Sequence, residues 1–345
     1  AKDLALVPEE SGARLTGRVD LFWRQFADGA DLDVPGIHLG ATAIDVDDLA
    51  VSLHALSVSG PLHLPLQGEL DAMLAIESDL GELSPLLSGP RFFLGHADGL
   101  VHLHGTPDAA VADVTLRARD FAYDAPGKVW PRTRYSVDEV EVEAKATPGR
   151  VDITRLFVRE EHGTITGTGA IEPVAQPGGT NRWELVKSDL SGSSLSLADL
   201  LQAFSAAPHP WVDFDGTVHA SVTGPLAPLE LAGPFDIELA DFTVRQGPVE
   251  EPGSTHMLDI PAATLTGQLT LFKDRIILDG KELATGNNRG SVVAEIGFGP
   301  KGPLDLRFDL QQADLGILRP LGGSAMTGRG RLRGRLWGDF DALQT

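Results

Sequence analysis

Residues 304–321 read LDLRFDLQQADLGILRPL, and two patterns overlap in them. Leu304, Leu306, Phe308 and Leu310 alternate with Asp305, Arg307 and Asp309, the period of two expected of a β-strand with one apolar and one wet face. From Asp314 the second pattern begins. DLGILRPL repeats DLGELSPL of residues 79–86, with Asp79/Asp314, Leu80/Leu315, Gly81/Gly316, Leu83/Leu318, Pro85/Pro320 and Leu86/Leu321 identical.

The two copies keep step at an offset of 235 residues: Gly95 meets Gly330, Ala97 meets Leu332, Gly99 meets Gly334 and Val101 meets Leu336. A looser third copy starts at Asp199 in LADLLQAF and continues as GTVHASVTGPLAPL, which aligns with GRLRGRLWGDFDAL through Gly216/Gly330, Val218/Leu332, Val222/Leu336 and Gly224/Gly338. Units beginning near 79, 199 and 314 imply a repetitive array rather than a set of globules. The expectation is a single segment over 1–345.

The same alternation recurs along the chain. Phe235, Ile237 and Leu239 oppose Asp236 and Glu238, and Val140 and Val142 oppose Glu141 and Glu143. Comparable runs lie near 51–56, 114–118, 165–171, 265–271 and 292–298. Five runs end in a shared phrase with a late Asp: IDVDDL (44–49), LRARDF (116–121), LVKSDL (185–190), IELADF (237–242) and LQQADL (310–315). An Asp there can accept backbone N–H groups, so each phrase is expected to stop its strand with a turn or short helix. Leu197, Leu200, Leu201 and Phe204 follow helical spacing, and Pro85 keeps the DLGxLxPL helices short. Gly/Pro-rich loops are expected at 125–132, 173–181, 246–255 and 298–303. The predicted fold class is therefore all-β: an elongated, curled, repetitive β-sheet with an open groove and a few short helices between repeat units. About 25 strands spaced about 4.8 Å apart would extend on the order of 120 Å.

Composition agrees with many strands and tight turns. Apolar residues make up 42% of the 345, with 39 Gly, 23 Pro and few aromatics. The formal net charge of −21 argues against nucleic-acid binding, which needs basic surface. The absence of Cys excludes disulfides and thiolate metal sites. AKDLALVPEE at the start has neither the basic nor the apolar region of a signal peptide, and no apolar run is long enough to cross a membrane.

Motifs for chemistry are sparse. His102 and His104 in GLVHLHG share one strand face, a geometry used by zinc and iron sites. A wet outer face is the favoured reading, because Val101 and Leu103 occupy the inner one and nothing in the sequence marks a third ligand, Asp108 being only a candidate; no metal is expected. Glu160, Glu161 and His162 could supply acid–base groups, but neighbours on a strand point to opposite faces, so a charged strand end is expected. The glycine clusters match neither a dinucleotide fingerprint nor a phosphate loop, and no nucleophile elbow is present. The chain reads as a non-enzyme without cofactors. Arg329, Arg331, Arg333 and Arg335 share one face opposite Leu332 and Leu336, either a wet sheet face or a contact for an acidic neighbour or lipid phosphate.

The repeated order of an Asp-Leu turn, then Gly-x-Leu/Val-x-x-x-Leu/Val-x-Gly-x-Leu-x-x-Leu and alternating strands, resembles the AsmA-like superfamily, and within it the TamB family of translocation and assembly module subunits. The resemblance covers most of 75–345. It implies a taco-like sheet with an aliphatic concave face and a charged convex face. It also implies a periplasmic protein, anchored in the inner membrane, that carries phospholipid between inner and outer membranes and supports outer-membrane protein assembly with a TamA-like barrel partner. The N-terminal anchor and the barrel-binding domain of the family are missing here, so the chain is expected to be an internal segment.

An alternating sheet without a helical layer must curl on itself or leave a trough for something else to fill. The apolar positions assigned to the trough are Val140 and Val142; Val218, Val222 and Leu226; Phe235, Ile237 and Leu239; Leu265 and Leu269; Leu304, Leu306, Phe308 and Leu310; and Leu332 and Leu336. The expected ligand is the acyl chains of phospholipid. The competing expectations are a scaffold that pairs exposed sheet edges with nascent outer-membrane strands and a structural solenoid with a sealed core.

Overall fold

A computed structural model describes residues 2–9, 12–21, 30–40, 43–53, 56–65, 68–82, 93–106, 108–125, 133–176, 181–196, 212–246, 255–273, 275–297, 304–314, 327–339 and 342–344. Within them the chain is nearly all strand, with one short helical turn. The all-β expectation holds, with twenty-one strands among the described residues. The chain divides into two compact units, Ala1–Ala125 with Ser136–Val158, and Pro126–Tyr135 with Arg159–Thr345. In each, the strands form a repetitive, curled, open antiparallel sheet.

The N-terminal unit holds β1 (Lys2–Glu9), β2 (Gly12–Leu21), β3 (Ala30–Gly40), β4 (Ala43–Leu53), β5 (Leu56–Pro65), β6 (Leu70–Asp79), β7 (Phe93–Thr106), β8 (Ala109–Ala125), most of β9 (Thr133–Thr147) and nearly all of β10 (Arg150–Arg159). From β1 to β8 each strand pairs antiparallel with the next in sequence. Register aligns Ile37, Val46, Leu62, Ala72, Leu103 and Ala112 across β3–β8. Val46 and Ala72 in this row are buried.

The C-terminal unit holds β11 (Thr164–Ala175), β12 (Asn181–Ser196), β13 (Val212–Ala220), β14 (Gly224–Pro225), β15 (Glu230–Gln246), β16 (Thr255–Phe272), β17 (Arg275–Thr285), β18 (Asn288–Gly297), β19 (Leu304–Asp314), β20 (Arg329–Asp339) and β21 (Ala342–Gln344). Again neighbours in sequence pair, except that β13 and β15 are direct partners and the two-residue β14 runs along β12. Among the described residues, the elements in extensive contact are strands that adjoin in the sheet.

Two sequence expectations are corrected. The phrase with the late Asp does not end strands: β4, β8, β12 and β15 run through it, and only β19 stops there. All five phrases instead carry a register shift: two residues stand opposite one on the partner strand between Val46 and Leu49, Arg119 and Ala122, Ala240 and Thr243, and Leu310 and Ala313, and Val186 is the extra residue between Leu185 and Lys187. Asp120 and Asp241 sit there with φ of 51° and 52°. Asp tolerates this left-handed region because its short side chain can satisfy nearby backbone groups, which suits it to a β-bulge. The punctuation therefore bends a strand and does not terminate it. The run near 51–56 likewise spans the end of β4 and the start of β5.

The capping reading does hold for DLGELSPL. Asp79 Oδ1 accepts the N–H groups of Gly81 at 2.8 Å and Glu82 at 3.2 Å, starting a helical turn at 80–82. The expected helix at 197–204 and the second copy beyond Asp314 lie outside the described residues. All three copies nonetheless begin at the same kind of place, the connections from β6 to β7, β12 to β13 and β19 to β20, each joining a pair of adjacent strands. Most of the four predicted Gly/Pro loops also lie outside the described residues, although Pro173–Ala175 continue β11. No helix among the described residues is long and apolar enough to cross a membrane.

Candidate functional site

In the C-terminal unit, register collects the predicted trough residues into transverse rows. One row reads Val218, Ile237, Leu265, Leu283, Gly290, Leu310 and Leu332 across seven strands. The next reads Ala220, Phe235, Gly267, Gly280, Val292, Phe308 and Gly334, and a third reads Gly233, Leu269, Leu278, Ala294, Leu306 and Leu336. Leu304 begins β19 opposite Gly338, and Leu239 pairs with Gly216 and Ala263. A bridge between Thr223 and Ala232, and another between Leu226 and Leu229, continue the β13–β15 register, so Val222 and Leu226 join the same face.

The face is packed in some places and accessible in others. Phe235, Leu265, Leu310 and Val222 are buried, whereas Val218, Leu226, Ile237, Leu239, Leu269, Leu306, Phe308 and Leu332 are half-buried. Glycines make room for the larger side chains: a Cβ at Gly334 would run into the Phe308 ring, and one at Gly280 would run into Leu265. Phe308 over Gly334 is an aromatic filling the gap that a cross-strand glycine leaves. In the N-terminal unit, Val140 and Val142 lie half-buried on β9, opposite in face to Glu139, Glu141 and Glu143. Those glutamates meet arginines of the flanking strands: Glu139 pairs with Arg117, and Glu141 and Glu143 pair with Arg155 at 3.0 and 3.1 Å.

On the wet side of the C-terminal unit, the basic stretch is answered within its own sheet. Arg335 donates two bonds to Asp305, at 2.9 and 3.0 Å, and Arg307 approaches the same carboxylate at 2.5 Å. Arg331 donates two bonds to Asp309, at 2.8 and 2.5 Å, with Arg333 at 3.0 Å. The acidic neighbour is thus β19. Hydrogen bonds from Arg335 and then Arg307 hold the Asp305 carboxyl well below the usual carboxylate range, and Arg331 lowers Asp309 to about 2.

A depressed folded pKa contributes stability above the unfolded value of about 3.9, and loses it as pH falls through the folded value. The urea midpoint of the C-terminal unit is therefore expected to fall between about pH 4 and about pH 2. Asp309→Asn should make that fall shallower. An unchanged pH profile in this variant would show that the ladder contributes nothing to the acid response. High salt should reduce the effect, since these groups are exposed.

The wet face of the N-terminal unit holds an arrangement that sequence reasoning missed. Register aligns His38, Asp45, His63, Asp71 and His104 across β3–β7, imidazole alternating with carboxylate. One residue pair further along, Met73, His102 and Asp113 align across β6–β8. His63 pairs with Asp45, His102 Nε2 lies 2.8 Å from Asp71 Oδ1, and His104 Nε2 lies 2.8 Å from Asp113 Oδ2. The hydrogen bond from His104 is the main reason that the Asp113 carboxyl is held below its ordinary value. The carboxylates that meet the histidine pair are Asp113 and Asp71, not the predicted Asp108, which sits in the turn before β8. A directly opposed strand position brings residues closer than a nearby sequence number does.

Glu160, Glu161 and His162 form the turn between β10 and β11, with the Glu160 N–H donating to Gly163 O at 2.9 Å. Glu160 is buried, whereas Glu161 and His162 are exposed. In comparisons with known proteins, no family model, no curated protein and no solved structure matches this chain.

Proposed function

We propose that this chain is a lipid-carrying segment of the AsmA-like, TamB type, whose apolar sheet face shelters phospholipid acyl chains on their way between two membranes. The observation that carries the reading is the set of aliphatic rows on one face of the C-terminal unit, running across β13–β20 with charged residues on the other face. Several of these side chains are only half-buried, which leaves apolar area for a ligand. Drawing a 16-carbon tail into water costs on the order of 13 kcal/mol, at about 0.8 kcal/mol per CH₂. A continuous apolar surface removes most of that barrier while the headgroup stays hydrated.

The reading places the protein in the periplasm, between inner membrane and outer-membrane barrel partner. No residue of this chain is assigned to either attachment. The test is native mass spectrometry of the chain purified without detergent. Phospholipid adducts are expected on the wild type and are expected to fall on the order of a hundredfold in Leu306→Arg, which sets a charge among the acyl chains. Leu306→Met should retain them. Absence of lipid from the wild type, or adducts indifferent to Leu306→Arg in a folded protein, overturns the proposal.

A further inference from the structure

We propose that His102, His104, Asp113 and Asp71 form a binding site for one divalent transition-metal ion of the zinc class on the wet face of the N-terminal unit. The inference stands apart from the lipid reading, since its residues lie in the N-terminal unit and include none of the apolar rows.

The site follows from strand geometry. His102 and His104 are two residues apart on β7, so both imidazoles leave the same face, with ring centroids 4.8 Å apart. Register sets Asp113 of β8 opposite His102 and Asp71 of β6 opposite His104. The hydrogen bonds run diagonally, each carboxylate reaching the other histidine at 2.8 Å. A ligand atom from each of His102, His104 and Asp113 lies within 4.8 Å of the others, and Asp71 adjoins this cluster through His102 from the opposite side of β7.

Two imidazole nitrogens and two carboxylate oxygens suit tetrahedral Zn²⁺, with bonds of about 2.0–2.2 Å. Side-chain rotation must draw the donors together from their present spacing. All four side chains are exposed enough to turn, at 38%, 35%, 47% and 74% for His102, His104, Asp113 and Asp71. The ion would take the place of the His102–Asp71 and His104–Asp113 hydrogen bonds. Hard cations fit less well, because Mg²⁺ and Ca²⁺ prefer oxygen-only sets. Lys145 Nζ, 4.0 Å from Asp113 Oδ1, is the one cationic side chain that shares a carboxylate of the quartet among the described ion pairs.

The test is isothermal titration of the tag-free full chain with ZnSO₄ near neutral pH, in excess MgCl₂ to occupy the acidic surface. One equivalent is expected to bind, and Co²⁺ in its place should give the visible absorption of a tetrahedral ion. Asp113→Asn and His102→Ala should each weaken binding by about tenfold to a hundredfold. Lys145→Ala should strengthen it, and His63→Ala, whose imidazole lies opposite Asp71 but pairs with Asp45, should leave it unchanged. Bound Zn²⁺ should also raise the unfolding temperature of the wild type but not of Asp113→Asn, whose exposed side chain makes misfolding an improbable confounder. Displacement by Mg²⁺, an equal loss in His63→Ala, or no saturable binding overturns the proposal.

Discussion

Val222→Glu is expected to unfold the C-terminal unit at neutral pH. Val222 is 5% exposed, and its backbone is held on both sides by one hydroxyl: Ser188 Oγ accepts the Val222 N–H at 2.8 Å and donates to its carbonyl at 2.7 Å. Ser188 is itself buried, on the neighbouring β12. A longer side chain at 222 therefore cannot swing to solvent without breaking that clamp. Burying an unpaired carboxylate costs several kcal/mol, a large fraction of the total stability of a domain. The sign of the pH response is diagnostic. A buried carboxyl has a raised folded pKa, so the penalty is greatest at high pH and shrinks as the group takes up a proton. Urea midpoints of the variant should thus recover partly on acidification, against the acid trend of the wild type. A variant as stable as the wild type at neutral pH would mean that position 222 reaches water.

Phe235→Ala should destabilise the same unit by about 3–5 kcal/mol, the usual cost of emptying a buried phenylalanine site. Phe235 is 4% exposed on β15, with Ala220 opposite it on β13 and Gly267 on β16. Small partners on both sides leave the ring as the main occupant of the space, and neither can grow to fill it. Phe235→Leu should recover much of the loss. Urea denaturation of both variants measures the difference, and a loss below about 1 kcal/mol in Phe235→Ala would show that the ring contributes little packing.

Much of the architecture was legible because its period is short. LDLRFDL, FDIELADF and VEVEA announce strands, and the faces on which Leu306, Ile237 and Val142 lie follow from alternation alone. The phrase with the late Asp is visible in the sequence, but its structural role is ambiguous there. An Asp that accepts backbone N–H groups and an Asp that tolerates a left-handed bulge look identical in a string, and Asp79 shows the first use while Asp120 and Asp241 show the second. The histidines of GLVHLHG are visible in the sequence, but their carboxylate partners are distant in it. Asp71 lies 31 residues from His102, and only β6–β7 pairing makes them neighbours.

The sequence by itself determined that the chain is all-β, where its alternating strands run and which of their faces is greasy, because strand alternation is imposed residue by residue by backbone geometry. Only the tertiary structure decided which side chains stand side by side across strands. Neighbours there depend on register, and each bulge resets it by one residue. That is why the row from Val218 to Leu332, the Ser188 clamp on Val222 and the alternation of His38, Asp45, His63, Asp71 and His104 appear only once the strands are paired.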